Sequence, residues 1–330
     1  MFCETGGCMA KVSGMDLKDL ISDAVEKAKI EDDVQLNSIA NGQFNDCSVV
    51  EIGTTVILNT VDYGPLVGDN YYNAGRIAAL NALSDIYVMG GRPVNASIIL
   101  VIEKGLEKKH QSDILSGLFY ECHNAGVVIG GGHTIYGEET LAGLSVIGVY
   151  DSPRRDNDVK NTDIIMVSKE IGSGIALRGY YHNLVNRTDY CEVIKSMLEP
   201  NDLSNISNYR DAIHAATDVT GFGLIGHLVE ILKGKGARIY ISNIPLYNAI
   251  KELPYHVFFD EKIKDNYRYS SNILELKFSI ENMRTLALFD PQTNGPVMII
   301  VDREYEKCFV DAGYITIGSI MDKQEICIVE

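Results

Sequence analysis

Cys8 and Lys11 stand three positions apart in TGGCMAKVSG, residues 5–14. The thiolate is the reactive form of cysteine, and a nearby cation favours it. Gly6 and Gly7 give the backbone the freedom to bring such a pair over a ligand. The same residues also suit a frayed terminus with an incidental thiol. Carboxylates form the second set. Asn81, Ser84 and Asp85 fall at i, i+3 and i+4 in NAGRIAALNALSDIYVMGGRP, residues 73–93, as one polar stripe on an otherwise apolar helix. An ionised aspartate buried there needs a partner. Arg76 or Arg92 would serve as an ion pair, and a metal ion in a cleft would serve equally. Asp46 in NDCSVV, Asp62 after TTVILNTV, Asp69 in GPLVGDN and Asp218 before VTGFG are the other candidates. Carboxylates converging on one cleft suit a hard divalent cation such as Mg2+, which then carries phosphate. Taken singly, each also reads as a cap or a surface group.

Glycine supplies the third set. GGGH, Gly130 to His133, follows the apolar run GVVI, and consecutive glycines let backbone N–H groups point at an anion or simply make a tight turn. It is no Walker loop, because no Gly-Lys-Ser/Thr follows. GFGLIG, Gly221 to Gly226, matches G-x-G-x-x-G. A dinucleotide fold would need a strand before it and an acid about 20 residues on. DAIHAAT precedes it, and ARIYIS ends in Ser242 and Asn243, so the spacing favours a helix N-terminus with Asp218 at its mouth. His227 inside that helix reads as a satisfied core residue. LFDPQTNGPVMII reads as a structural turn ahead of a strand.

These residues need two sets of elements to position them. Helical spacing is expected over 16–29, 71–89 and 107–124, and strands over TTVILNTVDY, VNASIILVIEK, AGVVIGGG and LAGLSVIGVYD. The polar stretch 151–161 is the expected linker. Beyond it DIIMVSKEIGSG, DVTGFGLIGHLVEILKGKG, ARIYIS and GPVMIIVD continue the alternation, which predicts two mixed α/β domains, 1–155 and 156–330. The 330 residues carry a formal net charge of −16, which excludes an electrostatic footprint for nucleic acid. No apolar run approaches the ~20 residues of a membrane span. Seven cysteines, an odd and scattered number, do not form a disulfide framework. Cys3 and Glu4 follow Met1 and Phe2 directly, with no apolar signal region, so a cytoplasmic location is expected.

Taken in order, GGCMAK, NDCSVV, TVDY, AGRIAALNALSDIYVMGGRP, AGVVIGGGHT, TDVTGFGLIGH and FDPQT resemble the motifs of the selenophosphate synthetases, from residue 6 to residue 293. The resemblance implies the α+β / α/β two-domain fold shared with aminoimidazole ribonucleotide synthetase. An N-terminal α+β domain pairs with its mate in a homodimer, and a C-terminal α/β domain follows. It implies ATP as substrate and the reaction of ATP, selenide and water to selenophosphate, AMP and phosphate. By motif, Cys8 and Lys11 match the catalytic cysteine and lysine. Asp46, Asp85 and Asp218 match the metal-binding aspartates, and Asp62 and Asn81 match residues lining the nucleotide site. Gly131, Gly132 and His133 match the phosphate-side loop. Mg2+ is the implied metal, with K+ as a further cation, and a selenium-delivery protein is an implied partner.

This chain departs from the pattern at several positions. Asn45-Asp46 stands for a pair of aspartates, and Val61 for a threonine. DPQTNGP stands for DPQTSGG, and DEKIKDNYRYSSN for a Gly-Gly-Thr run. Another ATP-dependent enzyme of the same fold with a different acceptor, or a non-catalytic nucleotide-binding relative, are the alternatives.

Overall fold

The computed structural model describes residues 20, 23–24, 46–150, 159–276 and 281–329. Cys8, Lys11, nearly all of the helix expected over 16–29 and most of the linker expected over 151–161 lie outside them. The first half carries β1 (Ser48–Ile52), β2 (Thr55–Pro65), α1 (Tyr71–Val88), β3 (Arg92–Glu103), α2 (Lys108–Asn124), β4 (Val128–Gly137) and β5 (Leu141–Tyr150). Its sheet runs β1-β2-β5-β3-β4, with β3 and β4 parallel and the other pairs antiparallel.

The second half carries β6 (Ile164–Val167), α3 (Ser173–Tyr181), α4 (Arg187–Met197), β7 (Ile213–Asp218), α5 (Gly223–Ile231) and β8 (Gly236–Tyr240). It continues with α6 (Tyr255–Phe258), α7 (Glu261–Ser270), β9 (Leu274–Leu276), α8 (Met283–Ala287), β10 (Val297–Val301), α9 (Glu306–Asp311), β11 (Ile315–Met321) and β12 (Ile326–Val329). Seven strands make one sheet in the order β7-β10-β6-β11-β8-β12-β9. Every residue of β6, β7 and β10 is buried, as expected where both faces of a sheet are covered.

Helix α1 is apolar on most of its surface because both halves of the chain pack against it. Ala74, Ala79, Leu83 and Ile86 pack into the core of the first half, while Ile77 and Val88 join apolar clusters of the second. Its crossing with α2 is close enough to require glycine. A Cβ on Gly75 would lie 2.1 Å from the carbonyl oxygen of Ile114, and one on Gly117 would lie 2.2 Å from that of Tyr72. Its N-terminus is capped by Asn70, whose side chain accepts from the Asn73 N–H at 3.0 Å.

Two local expectations differ from the structure. GGGH does not form a loop: it runs through β4, an edge strand in which these residues are exposed. The pairing with β3 shifts between Ala96 and Ser97, passing from Ile129 directly to Gly131, so Gly130 is the extra residue of a bulge. Glycine in a strand often marks such a bulge. DAIHAAT, in turn, does hold a strand, β7, directly ahead of G-x-G-x-x-G. That strand is antiparallel to its one neighbour at the sheet edge, which is not the parallel βαβ setting of dinucleotide binding. The departing segment DEKIKDNYRYSSN forms α7 with Asp260 as its cap, donating nothing and accepting from Ile263 N–H at 3.0 Å.

Candidate active site

Three elements bring three aspartates together. Asp46 leads into β1, Asp85 sits in the last turns of α1, and Asp218 ends β7. One carboxylate oxygen of each lies within 4.8 Å of the others. The ion-pair alternative for Asp85 is not taken up by Arg76. Arg76 turns away to Glu121, 2.5 Å from Nε to Oε1, and Asp85 faces the cluster. Thr60 Oγ1 donates to Asp85 Oδ2 at 2.5 Å, and Thr217 Oγ1 donates to Asp46 Oδ1 at 3.1 Å. Burial pushes the Asp46 carboxyl up to about 7. The negative charges of Asp218 and Glu230 push the same way, against the His227 ring and the Thr217 hydroxyl. An all-oxygen donor set at this density of negative charge fits a hard divalent cation.

Behind the cluster His227 is buried, with Nε2 3.2 Å from Thr220 Oγ1 and Nδ1 3.1 Å from Glu230 Oε2. Burial opposes its charge, but Glu230, Asp218 and Asp46 outweigh that and raise its pKa. It is a buried core residue paired with Glu230, as its place in the helix suggests.

A cleft of about 410 Å³ opens beside α1, lined by Asp62, Tyr63, Ala78, Asn81, Glu139 and Thr293 among others. Asp62 and Asn81 therefore share one wall with a residue of the FDPQT motif. Gly131, Gly132 and His133 are not among the cleft's lining residues. Asp69 does not join the aspartates either: its carboxylate pairs with Arg187, which also lies over the Tyr180 and Tyr190 rings. Asp290 and Gln292 are structural, holding the N-terminus of α3. Ile175 N–H donates to Asp290 Oδ2, and the N–H groups of Gly172 and Ser173 donate to Gln292 Oε1, each at 3.0 Å.

Thr60 and Thr217, which hold Asp85 and Asp46, are site residues that the sequence reading missed; it also missed Asn201 and Asn294, which lie at the joint with α1 and outside the cleft lining. Period-two alternation along β2 would have found Thr60, since it turns inward where Val61 is 55% exposed on the opposite face. The threonine-to-valine departure at position 61 therefore lies outside the cleft. Asn294 gave no signal except its departure from serine.

Two family models match the chain: AIR synthase related protein, N-terminal domain, over residues 44–150, and the corresponding C-terminal domain over residues 163–316. The selenide, water dikinase of Treponema denticola is 32% identical over 275 residues, 79% of this chain and 75% of that protein. That of Clostridium botulinum strain Eklund 17B is 30% identical over 332 residues, 97% of this chain and 94% of that protein. The chain belongs to the selenide, water dikinase family. The fold extends to solved structures of other names. The structure of AaThiL complexed with AMPPCP and TMP matches with a TM-score of 0.68 at 18% identity, over 96% of this chain and 93% of that one. The HypE–HypF complex structure matches at 0.67 and 19% identity, over 94% and 95%. These confirm the aminoimidazole ribonucleotide synthetase-like fold expected from the motifs.

Proposed function

We propose that this chain is a selenide, water dikinase, converting ATP, selenide and water to selenophosphate, AMP and orthophosphate. Two phosphoanhydride bonds break: one phosphoryl group forms its new bond to selenium, the other to a water oxygen. The observation that carries the reading is the convergence of Asp46, Asp85 and Asp218 on one point, with Asn81, one turn from Asp85, on the wall of the cleft. Phosphoryl transfer is mostly positioning and neutralisation of charge. The three aspartates would hold Mg2+, which when bound neutralises phosphate oxygens; K+ is a further cation of this reading. Asp62 and Asn81 orient the nucleotide in the cleft. Lys11 supplies positive charge to its phosphates, and the Cys8 thiolate holds selenium. Gly131, Gly132 and His133, on the exposed edge strand β4 and outside the cleft lining of this chain, are assigned to the phosphate side by motif alone.

A homodimer is part of the same proposal. The face of the first sheet away from α1 and α2 exposes Val50, Ile52, Val61, Tyr63, Ile135 and Ile147. An apolar surface of this kind marks an association site. A cytoplasmic setting and a selenium-delivery protein as partner complete the reading; among the described residues no helix is long and apolar enough to cross a membrane.

The test is anaerobic incubation of the protein with ATP, Mg2+ and selenide, followed by phosphorus NMR and AMP counting. Selenide-dependent AMP with a selenium-coupled phosphorus signal is the expected result. AMP without that signal would assign another acceptor, and bound nucleotide without AMP would make the chain a non-catalytic relative. Full activity in Cys8→Ala would remove the role given to the thiol.

A further inference from the structure

Asn294 sits at the joint between the two halves and hydrogen-bonds to both. Its backbone is in the left-handed region at φ +46°, which asparagine tolerates better than serine. It is 1% exposed. Its N–H donates to Asn81 Oδ1 on α1 at 2.6 Å. Its Nδ2 donates to the carbonyl oxygens of Met197 at 2.7 Å and Glu199 at 2.9 Å. Its Oδ1 accepts from Asn201 Nδ2 at 3.2 Å, and its carbonyl accepts from Lys169 Nζ at 3.3 Å. Asn201 Nδ2 also lies 2.9 Å from Ser84 Oγ and 3.0 Å from the Gly295 carbonyl oxygen, so its two hydrogens are shared among three acceptors. The carbonyls on each side fix which way both amides point, because only an NH₂ group can face them.

Asn81 and Ser84 belong to the same stripe of α1 as Asp85. Holding the first two fixes the rotation of the helix, and that rotation decides where Asp85 points. On the other side, three residues beyond Asn294, Val297 pairs with Asp218 across β10 and β7. The loop between is held rigidly. Val219 N–H donates to the Pro296 carbonyl at 2.9 Å, and a Cβ on Gly295 would lie 2.2 Å from the Val219 carbonyl oxygen. A short, fully packed path thus runs from Asp85 through α1, Asn81 and Asn294 to Val297 and Asp218.

We propose that Asn294, with Asn201, is a positioning residue that sets the span between Asp85 and Asp218 and so tunes metal affinity in this chain. The inference rests on the reading of the aspartates as metal ligands. Asn294 supplies both the left-handed backbone and the two amide donors. Partners that orient metal ligands typically change affinity by about 10- to 100-fold when removed.

The experiment measures Mn2+ binding by electron paramagnetic resonance on the full chain, without nucleotide, beside thermal unfolding. Asn294→Gly keeps the backbone conformation and deletes the side chain; Asn201→Ala removes the second amide and lines no part of the nucleotide cleft. Each is expected to weaken Mn2+ about 10-fold or more while ATP KM moves less than threefold. The double variant should weaken it no further than the worse single, because the two act as one unit. Mn2+ affinity within twofold of the parent in both variants overturns the proposal, and so does a loss that only follows the unfolded fraction. Asp85→Asn serves as the control. If the parent binds Mn2+ and Asp85→Asn does not, an unaffected Asn294→Gly sinks this inference alone. If the parent binds no Mn2+, the metal-site reading falls with it.

Discussion

Thr60 Oγ1 donates a 2.5 Å hydrogen bond to Asp85 Oδ2, linking β2 to α1 at the rim of the aspartate cluster. Thr60 is buried and Asp85 half-buried, so the bond is partly shielded from water. A hydrogen bond to a ligand carboxylate orients it and holds its charge in place. Thr60→Val keeps the shape and deletes the donor. It is expected to weaken Mn2+ binding by about 10-fold, with a stability loss of about 1–2 kcal/mol. Metal titration followed by magnetic resonance, with urea unfolding alongside, measures both.

Burial first, and then the like charge of Asp218, raise the proton affinity of Asp46, so the metal-free cluster stores repulsion. Asp218→Asn relieves it at nearly constant volume. The metal-free variant should be more stable than its parent by about 1 kcal/mol, while ATP turnover falls by about 100-fold or more. Calorimetry in chelator and a turnover assay in Mg2+ read the two effects. A variant that is both active and no more stable would contradict the assignment.

Asp290 lies fully buried near Arg178, and burial pushes its carboxyl up to about 6 against the Arg178 charge and its hydrogen bonds. The sign follows from the direction. The folded state holds this proton more tightly than the unfolded chain, so its contribution to stability is complete below the ordinary carboxylate pKa and is lost as pH rises through about 6. Asp290→Asn removes that dependence. Relative to the variant, the parent should lose up to about 3 kcal/mol between pH 4 and pH 7. Urea midpoints at those two pH values measure it, and parallel profiles would refute it.

Ala78 lines the cleft, and its methyl group is half-buried. Ala78→Phe fills part of the ~410 Å³ without touching the aspartates. Nucleotide affinity should fall by about 10-fold or more while Mn2+ binding is retained, because steric exclusion acts on the ligand alone. Titration with a fluorescent ATP analogue checks this.

Val61 and Ile147 share the outer face of the first sheet, since Asn59 pairs with Ile147 and Val61 with Ser145. Charged residues there disfavour association without disturbing the buried face. If the proposed dimer forms through this face, Val61→Lys with Ile147→Lys converts it to a monomer in sedimentation, with the fold intact by circular dichroism. A dimer that survives both changes would place the interface elsewhere.

The local elements follow from the sequence because their causes are local. The length of α1, its capping asparagine and the apolar runs of β2, β3 and β5 are set by residue spacing. The aspartates at 46, 85 and 218 and the cleft residues Asp62 and Asn81 were legible through motif resemblance, which carries spatial information that spacing lacks. Other features depended on neighbours distant in the chain. GGGH became a bulged strand because β3 was there to pair with it. The polar stripe of α1 had two uses, and only the second half of the chain decided which residue took which. Asn294 and Asn201 hold Asn81 and Ser84, and the space left beside Asp218 falls to Asp85. An amide or carboxylate can satisfy its hydrogen bonds and charge in many ways, so the packed tertiary structure selects among them. A buried methyl group needs only to be covered, which is why the core was readable and the joint was not.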